Sequence, residues 1–295
     1  MHPGAARWPS YTAGIAVIVA AAITGCGANS SPTAGGGSAR QAPASALDTV
    51  KLAAKTASSA NSFTGTMDLR ASVKPGAASS SGSVNMSASF AEQLRPSLLA
   101  SVSISSLSAA GMSLPGGLNE IITPSTLYLK WSFLTQTLHL SKPWLAIPVS
   151  SIGKSSGLNL SQMLSQATNS DPLTQSQLLQ GATSVRQVGT GNLNGLPVTE
   201  YTGTVPLDKG LTYLSGSAKA QVQQAMASAG LSTATFTVWI DGQHTVRKAV
   251  LTEVGKGLTE TITTTITSIN QPVNVTPPSA GQTSSLPAGD LSGLS

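Results

Sequence analysis

The chain has 295 residues, with 16 Lys and Arg against 11 Asp and Glu, and 40% of its positions are hydrophobic while only 9% are charged. Its 44 Ser and 32 Thr fill the polar positions that charged side chains take in ordinary domains, where about 25% of residues are charged. An apolar composition with a net charge of only +5 excludes disorder along the whole chain, and scattered Lys and Arg without interleaved aromatics exclude a nucleic-acid partner.

Arg7 precedes an apolar stretch from Ala13 to Ile23, which is followed by Thr24, Gly25 and Cys26. These eleven apolar residues reach about 17 Å as a helix, too short for a bilayer core about 30 Å thick and right for the apolar region of an export signal. Small residues before the single cysteine resemble a bacterial lipobox. That resemblance implies cleavage between Gly25 and Cys26, diacylglycerol on the Cys26 thiol and acylation, for instance by palmitate, of the new amino group. Residues 1–25 are therefore expected to be a lipoprotein signal peptide. Their removal takes away Arg7 alone and leaves 15 basic and 11 acidic side chains, a net +4.

Residues 26–44 follow as a flexible tether. The 18 residues after Cys26, GANSSPTAGGGSARQAPA, show no hydrophobic periodicity, and a Gly-rich coil of that length spans about 23 Å. No later run of 18 or more apolar residues occurs, so the expected location is the extracytoplasmic face of the cell membrane, anchored by lipid.

A domain over residues 45–272 comes next. Leu47, Val50, Ala54 and Ala57 have helical spacing, with Ser45 placed to cap and Asp48 at the third helical position. The period then drops to two. Phe63 to Val73, Val84 to Phe90 and Leu98 to Ile104 predict three antiparallel strands, joined by a flexible connection at Pro75 to Gly82 and a turn at Arg95-Pro96. Thr126–Trp131 and Gln136–Leu140 read as another hairpin, with His139 on its second strand. Helical spacing follows at Leu158–Ala167 and Pro172–Gln180, the second opened by Asp171 before Pro172. Strands are expected at Ser184–Gly189 and Leu196–Val205, a helix at Ala218–Ala229 ending at Gly230, and strands at Thr233–Asp241, Val246–Val254 and Thr259–Ile269. Pro, Ser and Gly dominate after Gln271, which predicts a poorly ordered tail at 273–295. The expectation is one α+β domain with nine or ten strands in a largely antiparallel sheet. Sheet and helices can enclose either a packed core or a lipid-sized cavity.

The residues nominate no catalytic centre. His139 and His244 lack neighbours at metal-ligand spacing, and His244 belongs to a hairpin turn, Asp241-Gly242-Gln243-His244. Gly153-Lys154-Ser155 lacks the glycine five positions earlier that a phosphate-binding loop needs, because Pro148 stands there. Ser151-Ile152-Gly153-Lys154 fits Ser-x-x-Lys without the accompanying motifs of that chemistry. The carboxylates are dispersed along the chain, so spacing alone nominates no acid pair. Neither an enzyme nor a cofactor or metal is expected.

Several segments resemble, in order, actinobacterial lipoproteins of the LppX/LprG type, whose fold is similar to LolA-type carriers. They are the lipobox at Cys26, Ser62-Phe63-Thr64-Gly65, Tyr128-Leu129-Lys130 with Lys142-Pro143-Trp144, and Asp171-Pro172. Gly195 to Gly203 and Thr237 to Asp241 complete the series. Glu200 departs from the pattern, since relatives often carry His there. The resemblance implies a curved antiparallel half-barrel with helices covering its concave face and an apolar cavity for a lipid or glycolipid, carried or presented in the cell envelope. Candidate cavity residues are Met67, Leu69, Val84, Met86, Val102, Ile104, Leu129, Trp131 and Phe133, the last two at its mouth; Trp239 is expected in the core. Expected partners are the lipid, the membrane and an envelope transporter. The alternative is a structural or regulatory lipoprotein with a filled core that acts through protein contacts.

Overall fold

Side chains alternating between apolar and hydroxylic, residue after residue, can satisfy both faces of a sheet, and the chain uses this pattern in its long strands. The computed structural model describes residues 45–74, 82–109, 112–113, 117–149, 172–214 and 216–285. The expected export signal, Cys26, the expected tether, the connection at 75–81, the helix expected at Leu158–Ala167, both Lys154 motifs and Asp171 lie outside the described residues.

Thirteen strands are found among the described residues: β1 Ser62–Val73, β2 Gly82–Gln93, β3 Leu99–Ala109, β4 Met112–Ser113, β5 Leu118–Ile122, β6 Thr126–Lys130 and β7 Trp144–Pro148 in the first half. The second half has β8 Ser184–Leu193, β9 Leu196–Pro206, β10 Thr233–Asp241, β11 Val246–Val254, β12 Leu258–Ile269 and β13 Thr283–Ser285. They form one open, curled sheet in the order β13-β7-β6-β5-β3-β2-β1-β12-β11-β10-β9-β8, with β4 on β3. All pairings are antiparallel except β13 with β7. β1 and β12 join the halves.

Register keeps the apolar sets on one face. Leu69 stands opposite Met86 on β2 and Ile262 on β12, and Ile262 opposite Leu251 on β11. The outer face carries Thr66, Asp68 and Arg70 of β1, Ser87 and Ser89 of β2, and Thr261, Thr263 and Thr265 of β12. Two cross-strand pairs place a ring over a glycine, Phe90 opposite Gly65 and Phe236 opposite Gly203. A Cβ on either glycine falls 2.7 Å from the phenyl Cζ and nearer still to the carbonyl oxygen of Thr265 or Ser184, so no side chain fits.

Helices pack on the apolar face. α1 (Ala46–Ser58) starts where the Ser45 hydroxyl accepts the Asp48 N–H, 3.1 Å. Its buried Val50, Ala53 and Ala54 meet Val205, Phe236, Val238 and Leu251 of the sheet. The short α2 (Ser132–Thr137) follows β6. α3 (Pro172–Leu179) sends Leu179 into the same cluster as α1, and α4 (Leu207–Gly210) adds Leu207. α5 (Gly216–Ala229) ends at Gly230, whose φ of +65° suits glycine. Asn194 and Gly195 both have positive φ, the geometry of the tight turn joining β8 and β9.

Four expectations are corrected. The strand count is thirteen rather than nine or ten, because β4, β5 and β13 are short and carry no alternation over enough residues to register. Gln136–Leu140 is no strand: α2 and a turn occupy it, His139 has φ 51° with its Nδ1 2.9 Å from the Gln136 carbonyl, and β7 pairs with β6 instead. Residues after Gln271 are not loose throughout. Val275 is buried, the Lys142 ammonium donates to the Ala280 carbonyl at 3.0 Å, and β13 extends the sheet beside β7. Trp239 is not in the core; Val238 and Ile240 take the inward positions while Trp239 faces Lys248, whose Nζ lies 4.7 Å from the ring centroid.

Candidate functional site

The inner face of the sheet divides into contiguous apolar clusters. One gathers Met67 and Leu69 from β1, Met86, Ala88 and Phe90 from β2, Val102 and Ile104 from β3, and Ile262 and Ile266 from β12, with Val84 partly buried at its margin. A second, from β3 and β5 to β7, holds Ala100, Ile122, Leu127, Leu145 and Ile147, with Leu129 partly buried against it. Five nominated cavity residues, Met67, Leu69, Met86, Val102 and Ile104, thus meet in one buried cluster, with Val84 at its edge and Leu129 in its neighbour. Trp131 is half-buried just after β6. Phe133 falls in α2, and its side chain lies outside the described residues.

A cavity of ≈ 20 Å³ lies where α1 and α3 approach β1, β11 and β12, lined by residues including Ala57, Phe63, Leu179, Ala249 and Thr264. It has room for about one water, and none of the nine nominated residues lines it.

Four of the five glutamates, dispersed in sequence, also face inward. Glu92 (β2) and Glu120 (β5) are only 4% and 2% exposed. They approach across β3, where Glu92 is opposite Ala100 and Glu120 opposite Val102. Burial, reinforced by the charge of Glu92, holds the Glu120 carboxyl well above the ordinary carboxylate range. Glu253 and Glu260 stand directly opposite each other on β11 and β12. Burial and then the Glu260 charge push Glu253 up to about 7, and burial raises Glu260. Sequence spacing could not find these pairs, because strand register alone brings them together.

Asp241 and His244 lie in the β10–β11 turn. Asp241 Oδ1 accepts the Gln243 and Thr245 N–H groups, both at 2.9 Å, and Oδ2 accepts Arg247 Nε at 2.7 Å. Burial acts to raise the Asp241 carboxyl but is outweighed by these hydrogen bonds and the Arg247 charge, so it titrates below its usual value. The carboxylate shapes a turn. Among the described residues there is no group of three or more His, Cys, Asp or Glu that could hold a metal ion, and no helix is long and apolar enough to cross a membrane.

Fold and face together define an open, curled antiparallel sheet with helices on its apolar side. In fold the chain is similar to the lipoprotein LppX of Mycobacterium tuberculosis, with 19% identity over 78% of this chain and 98% of that one, TM-score 0.44. It is also similar to LprF of Mycobacterium bovis, with 12% identity over 80% and 97%, TM-score 0.45. At such identities and scores the likeness lies in the general course of the chain and says nothing about ligands. In sequence it is 29% identical over 129 residues to an uncharacterized 31.2 kDa protein encoded in the rplA-rplJ intergenic region of Streptomyces griseus. That match spans 42% of this chain and 41% of the relative. No protein-family model matches.

Proposed function

We propose that the chain is an envelope lipoprotein that holds a lipid or glycolipid against the inner face of its curled sheet and carries or presents it without catalysis. Residues 1–25 direct export, Cys26 carries the lipid anchor, and 26–44 tether the domain, 45–272 as first delimited, to the extracytoplasmic face of the membrane. The observation that carries this reading is the inner face itself, whose apolar side chains form contiguous clusters across neighbouring strands and include the flexible Met67 and Met86. Acyl chains need only such a surface, since each buried methylene contributes about 0.8 kcal/mol, and methionine adapts to irregular ligands. An envelope transporter is the partner such a carrier requires.

A specific observation favours a second reading. Met67, Leu69, Met86, Val102 and Ile104 are all buried, and the cavity beneath α1 and α3 has room for a water rather than an acyl chain. Close packing of this kind among the described residues suits a structural or regulatory lipoprotein that acts through its surface. Mass spectrometry of lipids extracted from the full-length protein, purified from membranes in mild detergent, separates the two. A di- or triacyl species in stoichiometric amount, lost on Val102→Trp, supports carriage. Absence of bound lipid, with no thermal stabilisation by added lipids, supports the second reading.

A further inference from the structure

Glu120 is a buried carboxyl whose two oxygens both lack a hydrogen-bond partner. Leaving such a group unsatisfied costs about 1–3 kcal/mol, and its described neighbours along the sheet are apolar. Val102 and Leu129 stand opposite it on β3 and β6, and Leu118 and Ile122 flank it two residues away on the same face. It therefore marks the seam between the cluster containing Val102 and the cluster packed against Leu129. Leu129 and Val102 are themselves among the residues nominated for the cavity. Glu92 brings a second carboxyl to the same seam. Burial and then the charge of Glu92 both disfavour ionisation of Glu120.

We propose that Glu120 is the polar anchor of the lipid-holding face, and that its unmet hydrogen bonds are completed by an uncharged oxygen of the ligand, the ester carbonyl or hydroxyl of a neutral acyl lipid. The proposal rests on the lipid-holding reading and adds the class of lipid. A protonated carboxyl donates one hydrogen bond and accepts others, which matches an ester or alcohol placed among acyl chains. A phosphate brings negative charge towards Glu92, whose charge already acts on Glu120, and is disfavoured at this position. Neutral glycerolipids are thereby selected over anionic phospholipids with the same chains.

The test is native mass spectrometry of the full-length protein in detergent, titrated with dipalmitoylglycerol and with dipalmitoyl phosphatidic acid. Wild type is expected to hold the diacylglycerol about tenfold more tightly, the equivalent of one satisfied buried hydrogen bond. Glu120→Leu should weaken diacylglycerol binding about tenfold and abolish the preference, while Glu120→Gln, which keeps a donor and an acceptor, should retain both within about twofold. If the Leu variant does not fold, Glu120→Met makes the same comparison with an unbranched side chain. Undiminished diacylglycerol binding by the Leu or Met variant, or a wild-type preference for phosphatidic acid, overturns the role of Glu120 and leaves the lipid-holding reading standing. A wild-type protein that binds neither lipid overturns the role of Glu120, and one that in addition carries no co-purifying lipid overturns both.

Discussion

Replacing Glu253 with glutamine should stabilise the protein at alkaline pH and leave it unchanged in acid. Glu253 and Glu260 face each other across β11 and β12. The residues next to them on the same register are Ala234 on β10 and Ala71 on β1, so neither neighbouring strand offers a counter-charge there. Burial and the like charge raise the Glu253 carboxyl from 4.5 to about 7. A raised carboxyl in the folded state is neutral in stability below about 4.5, where folded and unfolded chains are both protonated. Between 4.5 and about 7 the unfolded chain gives up its proton first and stability falls. Above that range the loss is constant, at most about 3.4 kcal/mol from about 1.36 kcal/mol per pH unit. Both side chains keep partial contact with solvent, whose screening reduces the expected effect to about 1–3 kcal/mol. Glutamine carries no charge at any pH and removes this loss. Thermal melts of the full-length protein in non-ionic detergent, followed by circular dichroism at pH 4 and pH 8.5, should show equal stability in acid. At pH 8.5 the variant should melt several degrees higher, at about 2–4 °C per kcal/mol for a domain of this size. A gain of equal size at both pH values refutes the titration argument.

Gly65→Ala should lower stability by about 1–3 kcal/mol, read from the same melts, because a Cβ there meets the Phe90 ring and the Thr265 carbonyl oxygen; Gly65→Ala with Phe90→Leu should recover part of the loss. Asp241→Ala should cost about 1–3 kcal/mol at neutral pH by releasing the Gln243 and Thr245 N–H groups and Arg247. Because the Asp241 carboxyl is depressed, its contribution is complete above about 3.8 and is lost as pH falls through the lowered value; a variant that differs from wild type equally at pH 2 and pH 7 contradicts this. Cys26→Ala should abolish incorporation of radiolabelled palmitate and leave the signal peptide uncleaved, as judged by gel mobility.

The strands of the sheet's centre were legible because alternation over ten or so residues is a strong local pattern. Met67 and Leu69, Val84 and Met86, and Val102 and Ile104 could be assigned to one face of three strands from sequence alone. The Ser45–Asp48 cap, the stop at Gly230 and the turn at Asp241 were legible for the same reason, since each is a local preference of the backbone. Shorter pieces were not. β5 reads Leu-Asn-Glu-Ile-Ile, with a carboxylate at its most buried position, and Gln136–Leu140 alternates for too few residues to distinguish a strand from the turn it forms.

Sequence by itself therefore determined the apolar and hydroxylic faces and the antiparallel class of the sheet. These depend on side-chain type and on neighbours a few positions away. Tertiary structure alone decided which strands are adjacent. Register set Glu253 against Glu260 and brought Glu92 beside Glu120, placed β13 against β7, and turned Trp239 outward to Lys248. Pairing joins residues far apart in the chain, and the free energy that selects it comes from burying the whole apolar face at once, a quantity that no local stretch of sequence contains.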